Sequence, residues 1–232
     1  MTTTATVSNS TVTFTGVAPT SSIITFKDNS IVAGTTTTDP AGNFAKTVTS
    51  TPGLHDFVLN LTDTSGRTTP DTTFSGDNLP NQIDTPINNV LLPPTIDISK
   101  TSIYSGETVA ILGQGSPGST LHIILNGSEI YSGVLGGSDY NIALNSGYTV
   151  GSNSIHAYLS RPGFTNSVDS FSKTVTVTNC RRSDLNCDGR VNLTDFSILM
   201  YWWNTSGPTG DINHDGTVGL IDFSIMLYDW TN

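Results

Sequence analysis

Hydrophobic and polar residues alternate in short runs over most of the chain. Such runs include Ile24 to Phe26, Phe44 to Val48, Leu54 to Leu61 and Thr174 to Thr178, each bounded by Gly, Pro, Asn or Asp. A period of two residues places apolar side chains on one face of a β-strand and polar side chains on the other. Turn sequences such as Asp39-Pro40-Ala41-Gly42 separate the runs. The pattern predicts a mainly β protein with no helix before residue 190.

The chain before residue 180 also contains an internal repeat. The segment Val12 to Phe26 has the same order of apolar strand, Gly, Pro and second strand as Val109 to Ile123. The period of roughly 100 residues is the size of one small β-sandwich. Both halves resemble bacterial immunoglobulin-like (Ig-like) domains of secreted and surface proteins, through the turn from Gly113 to Pro117 and the strand Gly53-Leu54-His55. We therefore expect two tandem Ig-like sandwiches.

The composition changes near residue 180, which predicts a third domain. All three Trp residues and both Cys residues lie after residue 179. Between the sandwiches, Leu79 to Ile96 contains four prolines, and Pro93-Pro94 is typical of a stiff, extended hinge. Residues 83–92 could equally be the last strand of the first sandwich. The predicted domains are residues 1–93, 94–179 and 180–232.

Charge and composition exclude several classes of function. With 9 Lys and Arg against 19 Asp and Glu, the net charge is -10, which offers no basic surface to nucleic acid. No stretch approaches the roughly 20 apolar residues of a membrane-spanning helix, and the sequence as given shows no signal peptide. Carbohydrate binding is not expected, because the sandwich sequences contain no Trp and no evident aromatic platform. No catalytic constellation is evident, since Ser170 to Lys173 matches S-x-x-K without its companion motifs.

Two segments near the C-terminus match the loop of an EF-hand calcium site. They are Asp184 to Asp195 and Asp211 to Asp222, and both follow D-x-[DN]-x-[DN]-G-x5 with Asp at position 12. Ca²⁺ prefers six to eight oxygen ligands, and this spacing supplies them from one tight turn. Arg190 and Thr217, at position 7, would contribute main-chain carbonyls. We expect two Ca²⁺ ions, with these candidate ligands: Asp184, Asn186, Asp188, Arg190, Asn192 and Asp195, then Asp211, Asn213, Asp215, Thr217 and Asp222.

Each loop precedes an apolar segment with helical spacing, Phe196 to Trp203 and Phe223 to Trp230. The spacing predicts that two equivalent stripes pack against each other: Phe196, Leu199, Met200 and Trp203, then Phe223, Met226, Leu227 and Trp230. We also expect the position-8 residues Val191 and Val218 to bridge the two loops. The side chains left on other faces are Ile198, Tyr201, Trp202, Ile225 and Tyr228. They form either a contact with the second sandwich or an exposed patch for a protein partner.

Two calcium loops, each followed by a helix and joined in about 50 residues, resemble a type I dockerin. The resemblance covers residues 180–232. It implies that Ca²⁺ folds the module and that its helices bind a cohesin domain of a scaffolding or surface protein. Many cellulosomal members carry small hydroxylated pairs at loop positions 10 and 11, whereas this chain has Leu193-Thr194 and Leu220-Ile221. The partner is therefore a cohesin-like domain, another protein, or the chain's own sandwich.

The two cysteines support an extracellular or cell-surface location in a prokaryote. Cys180 and Cys187 flank the start of the first loop, and a disulfide between them is expected in an exported protein, with two free thiols as the alternative. We expect a non-catalytic protein that attaches through a calcium-folded dockerin, with the sandwiches as spacers. The alternative is a structural subunit that assembles with copies of itself, in which Thr2 to Thr15 adds a strand to a neighbour's sheet.

Overall fold

The computed structural model describes residues 9–178, 180–207 and 209–231, with the side chain of Asp77 left out. Within these residues the fold is mainly β, as the alternating pattern predicts. The first seven strands are β1 (Ser10–Val17), β2 (Ile23–Asp28), β3 (Ile31–Thr37), β4 (Asn43–Ser50), β5 (Gly53–Thr62), β6 (Thr72–Leu79) and β7 (Asp84–Leu91). The next eight are β8 (Asp97–Ile98), β9 (Ser102–Tyr104), β10 (Val109–Gln114), β11 (Thr120–Leu125), β12 (Ser128–Val134), β13 (Asp139–Leu144), β14 (Gly151–Ser160) and β15 (Lys173–Thr178). The helices are α1 (Leu193–Tyr201) and α2 (Leu220–Tyr228).

The first seven strands form a β-sandwich of two sheets, with the orders β4-β1-β7 and β3-β2-β5-β6. Its core is aromatic: the ring of Phe14 lies 5.4 Å from the rings of both Phe26 and Phe57. Alternate residues of β2 and β5 are buried, because every second side chain of a strand points to the same face. The period of two residues thus sets which side chains enter the core.

The proline-rich segment contributes a strand rather than a long hinge. Strand β7 pairs in parallel with β1, and Pro86 opposes Thr13. A proline is tolerated there because β7 lies at the edge of its sheet, where one row of backbone groups needs no partner. The sequence left open whether residues 83–92 form a strand or part of the hinge, and the structure places residues 84–91 in a strand.

The segment after β7 is buried and hydrogen-bonded. Pro93, Pro94 and Thr95 are all buried. The Thr95 hydroxyl donates to Asp63 Oδ2 at 2.6 Å, and the Thr95 N–H donates to the Gln114 carbonyl at 2.9 Å. One short hydrogen bond to a buried carboxylate and one main-chain bond therefore fix the backbone next to the Pro-Pro pair. The exact domain boundary near residue 93 stays a prediction.

The later strands form two further sheets, with the orders β13-β10-β8 and β12-β11-β14-β15-β9. Strand β11 pairs antiparallel with β14, as β2 pairs with β5 in the first sandwich. The internal repeat of the sequence therefore corresponds to equivalent strand pairs.

The chain divides into two compact units. The first consists of Met1–Ile98, Ile111–Ile142 and Ser154–Lys173, and the second of Ser99–Ala110, Ala143–Asn153 and Thr174–Asn232. The second unit therefore contains both the C-terminal loops and helices and the segment Ser99–Ala110. In the described residues, neither helix is long and apolar enough to cross a lipid bilayer.

Strand β1 bears on the expectation that Thr2 to Thr15 extends a neighbour's sheet. Residues 10–15 belong to β1, which lies between β4 and β7 and so has no free edge. Thr2 to Ser8 lie outside the described residues. The expectation is therefore wrong for the part of the segment that the structure describes.

Candidate functional site

The first loop is organised by the carboxylates at its two ends. Asp184 accepts hydrogen bonds from the N–H groups of Asp188 at 3.2 Å and Gly189 at 2.9 Å. Asp195, at position 12, accepts from Leu185 at 2.8 Å and Asn186 at 3.2 Å through one oxygen. These bonds draw the loop into a closed turn between its first and last residues.

The second loop repeats this arrangement nearly bond for bond. Asp211 accepts from Asp215 at 3.1 Å and Gly216 at 2.9 Å, and Asp222 accepts from Ile212 at 2.7 Å and Asn213 at 3.0 Å. Two segments with the same spacing of Asp, Asn and Gly therefore adopt the same local fold. The loop boundaries predicted from the sequence coincide with these hydrogen-bonded turns.

Position 12 of each loop also belongs to the helix that follows. Asn192 is the N-cap of α1: its side-chain oxygen accepts from the Thr194 N–H at 2.8 Å, and Asp195 accepts from the Asn192 N–H at 2.8 Å. This capping box satisfies N–H groups that a helix start leaves without partners. In α2 the N-cap is Gly219, which has no side chain to accept a hydrogen bond. Of the two capping bonds, this loop therefore keeps only the one from the Gly219 N–H to Asp222, at 2.7 Å.

This overlap sets the rotation of the helices and corrects the predicted stripe. Asp195 and Leu199 are the buried residues of α1, and Asp222 and Met226 are those of α2. The inward stripe therefore begins at position 12 of the loop, one position before the predicted start. The predicted stripe residues that are instead exposed are Met200 (41%) and Leu227 (51%).

The expected bridge between Val191 and Val218 is also wrong. The Val218 N–H donates to the Thr205 carbonyl at 2.8 Å, and its carbonyl accepts from the Asn204 N–H at 2.9 Å. Val191 likewise donates its N–H to Thr231 Oγ1 at 2.8 Å and accepts from the Thr231 N–H at 2.9 Å. Each loop is thus paired with the segment after the other repeat's helix. The exchange closes the module between its first loop and its last described residue.

The loops concentrate negative charge. In the described part of the chain, ion pairs involve none of the loop carboxylates, namely Asp184, Asp188, Asp195, Asp211, Asp215 and Asp222. Burial raises the pKa of Asp184 above its usual value, and the charges of Asp195 and Asp188 raise it further, while N–H hydrogen bonds oppose the shift. A cation between these groups would relieve both effects.

Hydrogen bonds act in the opposite direction on two other loop carboxylates. The Asn186 side chain and the Arg190 N–H hold the pKa of Asp188 below its usual value. Burial alone would raise the pKa of Asp222, but the N–H groups of Gly219, Asn213 and Ile212 lower it below the usual value. Both groups are therefore ionised at neutral pH, which is the state that a metal requires.

The donor set fits a hard cation, although its atoms are not gathered as a metal shell. All predicted ligands are carboxylate, amide or main-chain oxygens, the type that Ca²⁺ prefers. Within the described residues, groups of three or more His, Cys, Asp or Glu side chains nowhere lie at metal-binding spacing. Asn186 instead donates its Nδ2 to Asp188 at 3.0 Å, and Asn213 does the same to Asp215 at 2.8 Å. The amide oxygens of Asn186 and Asn213 already face the loop, since they accept the N–H groups of Asp188 at 3.2 Å and Asp215 at 3.1 Å. Binding Ca²⁺ would therefore replace these internal hydrogen bonds by bonds to the metal.

Cys180 and Cys187 form a disulfide that spans the start of the first loop, with their Cα atoms 5.0 Å apart. The sandwich turn that follows β9 lies against the same part of the loop. A methyl group placed on Gly106, whose φ is +85°, would lie 2.7 Å from both the Asp188 carbonyl carbon and the Cys187 carbonyl oxygen. A larger residue at position 106 would therefore push the loop away.

The predicted partner residues separate into two groups. Tyr201 and Tyr228 are 78% and 89% exposed. Trp202 and Ile225 instead pack against the small core of Val191, Leu199, Ile212, Val218 and Met226, and Ile198 is half-buried. The rotation of the helices explains this separation, because it turns Tyr201 and Tyr228 towards solvent.

The exposed apolar side chains form one set on each helix. We call these sets the outer faces: Leu193, Met200 and Tyr201 on α1, and Leu220, Ile221, Leu227 and Tyr228 on α2. Corresponding members are separated by the same interval as Asp184 and Asp211, so they follow the repeat of the calcium loops. Sequence reasoning missed Met200 and Leu227 as surface residues, because it assigned both to the packed stripe. The acid at position 12, which must point into the loop, was the signal that could have found them.

A Ser–His–Asp grouping occurs in the first sandwich, but it is not arranged for nucleophilic catalysis. His55 Nδ1 lies 2.6 Å from Asp28, while its Nε2 lies 2.8 Å from the Thr51 carbonyl oxygen. The Ser50 hydroxyl donates to Asp28 rather than to the imidazole. A catalytic serine needs the histidine as its base. The grouping therefore joins strands β2, β4 and β5.

Comparisons with known proteins find similarity only among solved structures: no family model and no curated protein matches the sequence. The chain is similar to fibronectin(III)-like modules of Clostridium thermocellum CbhA, with 17% identity over 70% of this chain and 80% of that chain, at a TM-score of 0.30. It is similar to the BSP domain of a biofilm-associated protein, with 18% identity over 68% of this chain and 25% of that chain, at a TM-score of 0.29. A Ca²⁺-stabilised adhesin with which an Antarctic bacterium binds ice gives 21% identity over 68% of this chain and 40% of that chain, at a TM-score of 0.30. The chain spans less than half of the last two proteins. Such low identities and TM-scores assign it neither a ligand nor a function.

Proposed function

We propose that this chain is a non-catalytic secreted or cell-surface protein of a prokaryote that attaches to a protein partner. Its C-terminal module, residues 180–232, folds around two Ca²⁺ ions, and the sandwiches act as spacers. The observation that carries the proposal is the repetition of one hydrogen-bond arrangement in both loops, from Asp184 to Asp195 and from Asp211 to Asp222. Chance resemblance to an EF-hand loop would not supply the same bonds twice.

Charge gives the module a reason to require a cation. Asp195 and Asp222 are completely buried, and each lies in a loop with two further carboxylates. Buried carboxylates without a counter-charge are costly, and Ca²⁺ supplies positive charge to oxygen ligands of this kind. The predicted ligands in each loop would hold one ion. The small core between the helices would then depend on the metal, as in other small metal-dependent domains.

The outer faces support attachment to a protein. Tyr201 and Tyr228 are large amphipathic side chains on the surface, flanked by Met200 and Leu227. Aromatic and Met side chains are enriched at protein interfaces. Because the two faces carry equivalent residues, either could bind the same partner. The partner class implied by the dockerin resemblance is a cohesin-like domain.

The calcium part of the proposal is tested by Trp emission and circular dichroism of the full chain, in millimolar Ca²⁺ and then in excess chelator. We expect chelator to expose the tryptophans, because all three belong to the module. The double substitution Asp184→Ala and Asp211→Ala should mimic chelator. A control pair, Asp97→Ala and Asp169→Ala, removes equal charge from exposed carboxylates outside the loops. Trp emission that changes neither in chelator nor in the loop variant would refute calcium-dependent folding.

The attachment part is tested with immobilised full chain and a panel of purified cohesin domains, by biolayer interferometry in Ca²⁺ and in chelator. If either face suffices, Tyr201→Ser or Tyr228→Ser alone should retain binding, and the double variant should lose it. The solution mass in Ca²⁺ is measured in parallel by light scattering. A monomer supports attachment to a foreign partner. Large assemblies of the pure chain would instead favour the self-assembling subunit.

A further inference from the structure

The two calcium loops have the same sequence pattern but different surroundings. The first loop is fixed on its amino-terminal side by the disulfide between Cys180 and Cys187. This bond encloses Asp184 and Asn186, which are positions 1 and 3 of the loop. It therefore limits how far the first half of the loop can open when no metal is bound.

A turn of the second sandwich holds the same loop from outside. Gly106 lies against the backbone of Cys187, Asp188 and Gly189. Arg181, next to the disulfide, donates from Nη2 to Glu107 at 2.9 Å and lies 5.5 Å above the ring of Tyr104. The ion pair is partly shielded, since the Glu107 side chain is 13% exposed. The first loop is thus anchored to the turn after β9, which belongs to the same unit.

Within the part of the chain that the structure describes, the second loop lacks these restraints. The residue equivalent to Cys187 is His214, which is exposed, and the residue equivalent to Cys180 is Gly207. A methyl group on Gly216 would meet nothing within 4 Å, whereas one on Gly189 would lie 3.1 Å from Gly106. Position 9 is Gly219, which has no side chain to cap the helix or bind a metal. Among the described residues, the second loop is held by its internal hydrogen bonds, the pairing of Val218 and the burial of Ile212 and Val218 in the small core.

We propose that the first loop is a preorganised, tight calcium site and the second a weaker, exchangeable one. This inference rests on the proposed calcium function and adds an order of filling to it. A loop already held near its bound shape loses less conformational freedom on binding, so the same oxygen donors give a higher affinity. The first site then links the helical module to the sandwich, and the second responds to changes in the surrounding Ca²⁺ concentration.

The unmodified full chain provides matched reporters for the two loops. Gly189 and Gly216 occupy position 6, and each donates its N–H to the position-1 carboxylate at 2.9 Å. Their amide resonances can be followed by nuclear magnetic resonance during a calcium titration of metal-free protein. We expect the Gly189 resonance to reach its midpoint at a free Ca²⁺ concentration at least tenfold lower than that of Gly216. Equal midpoints, or a lower midpoint for Gly216, would overturn the inference while leaving calcium binding intact. If neither resonance shifts, the proposed calcium function itself fails.

Two variants then test the cause of the difference. Removing the disulfide with Cys180→Ser and Cys187→Ser should bring the Gly189 midpoint to within about threefold of an unchanged Gly216 midpoint. If the module no longer folds without the disulfide, Glu107→Gln is the alternative, because it weakens the anchor of Arg181 and leaves the disulfide in place. The same substitution also weakens the ion pair of Glu107 with Lys100, so Lys100→Gln serves as its control. Glu107→Gln should raise the Gly189 midpoint severalfold. A Gly189 midpoint that neither variant raises would show that these restraints do not set the affinity.

Discussion

The packing of the two helices gives a sharp prediction, because neighbouring residues of α1 have opposite surroundings. Leu199 is completely buried in the core shared with Val191, Ile212, Val218 and Met226, whereas Met200 is 41% exposed on the outer face. Leu199→Ala removes three buried carbon atoms and leaves a cavity. Met200→Ala shortens a side chain that solvent already reaches. The two substitutions therefore form a matched pair in one helix.

The expected magnitudes differ severalfold. A buried Leu→Ala substitution costs about 3 kcal/mol or more, since the lost transfer free energy and the cavity both contribute. The half-exposed Met200 should cost about 1 kcal/mol or less. The core of a module this small supplies only about 3–5 kcal/mol of stability. Leu199→Ala should consequently leave the module largely unfolded even in Ca²⁺, and Met200→Ala should leave it folded.

The assay is urea unfolding of the full chain in millimolar Ca²⁺, followed by Trp emission. Trp202, Trp203 and Trp230 all lie within the module, so emission reports its unfolding separately from that of the sandwiches. Far-ultraviolet circular dichroism, dominated by the strands, serves as the control for the rest of the chain. An equal or larger loss for Met200→Ala would contradict the rotation described above and restore the stripe predicted from the sequence.

Three further predictions concern contacts that the sequence does not reveal. Asp63→Ala should lower the free energy of unfolding by about 3–5 kcal/mol at neutral pH, because it leaves Arg67 without its buried ion-pair partner. Burial raises the pKa of Asp63, but hydrogen bonds from Thr95 and Arg67 outweigh burial and hold that pKa below its usual 3.8. The stabilisation by the ionised carboxylate is therefore lost as the pH falls through the lowered pKa. Thermal unfolding at stepped pH should show the difference between wild type and variant shrinking in acid. Gly106→Val should weaken calcium binding by the first loop, since the side chain would enter its backbone at a φ of +85°, and a calcium titration of the Gly189 resonance measures the change. Thr231→Val should speed amide hydrogen exchange at Val191, because it removes the hydroxyl that accepts the Val191 N–H, and should lower the free energy of unfolding by about 1 kcal/mol. The matched control Thr205→Val should not change exchange at Val218, because the Val218 N–H bonds to the main-chain oxygen of residue 205.

The strands could be predicted from the sequence because their cause is local. Alternating burial in β2 and β5 follows from apolar residues at every second position, namely Ile24 and Phe26 in β2 and Phe57, Leu59 and Leu61 in β5. Leu54, at the start of β5, falls outside this alternation and is exposed. The segment from residue 83 to 92 remained ambiguous for a physical reason. Prolines are typical both of hinges and of edge strands, and only the pairing partner distinguishes them. That partner is β1. It is the first strand of the same sandwich and lies far from β7 in the sequence.

The loops were predictable and their surroundings were not. Spacing alone identified both turns, because an EF-hand loop keeps its whole ligand pattern within one short, continuous segment. Contacts such as those of Gly106 with Gly189, or of Thr231 with Val191, join distant residues of ordinary type. No local pattern marks them, and a glycine followed by an acid is common in turns. The difference between the two loops therefore required the structure.

The helix rotation shows why a stripe drawn from hydrophobicity alone was displaced. Asp195 ends the first loop, accepts the N–H of Asn192 and is completely buried. Because Asp195 is polar, it was not counted in the apolar stripe. Its inward position nevertheless means that the residue four positions later, Leu199, also points inward. The same carboxylate thus belongs to the candidate metal site, the helix cap and the inner face of the helix. Loss of a cation from the loop would act on the core through this one side chain, which is why calcium binding should stabilise the folded module.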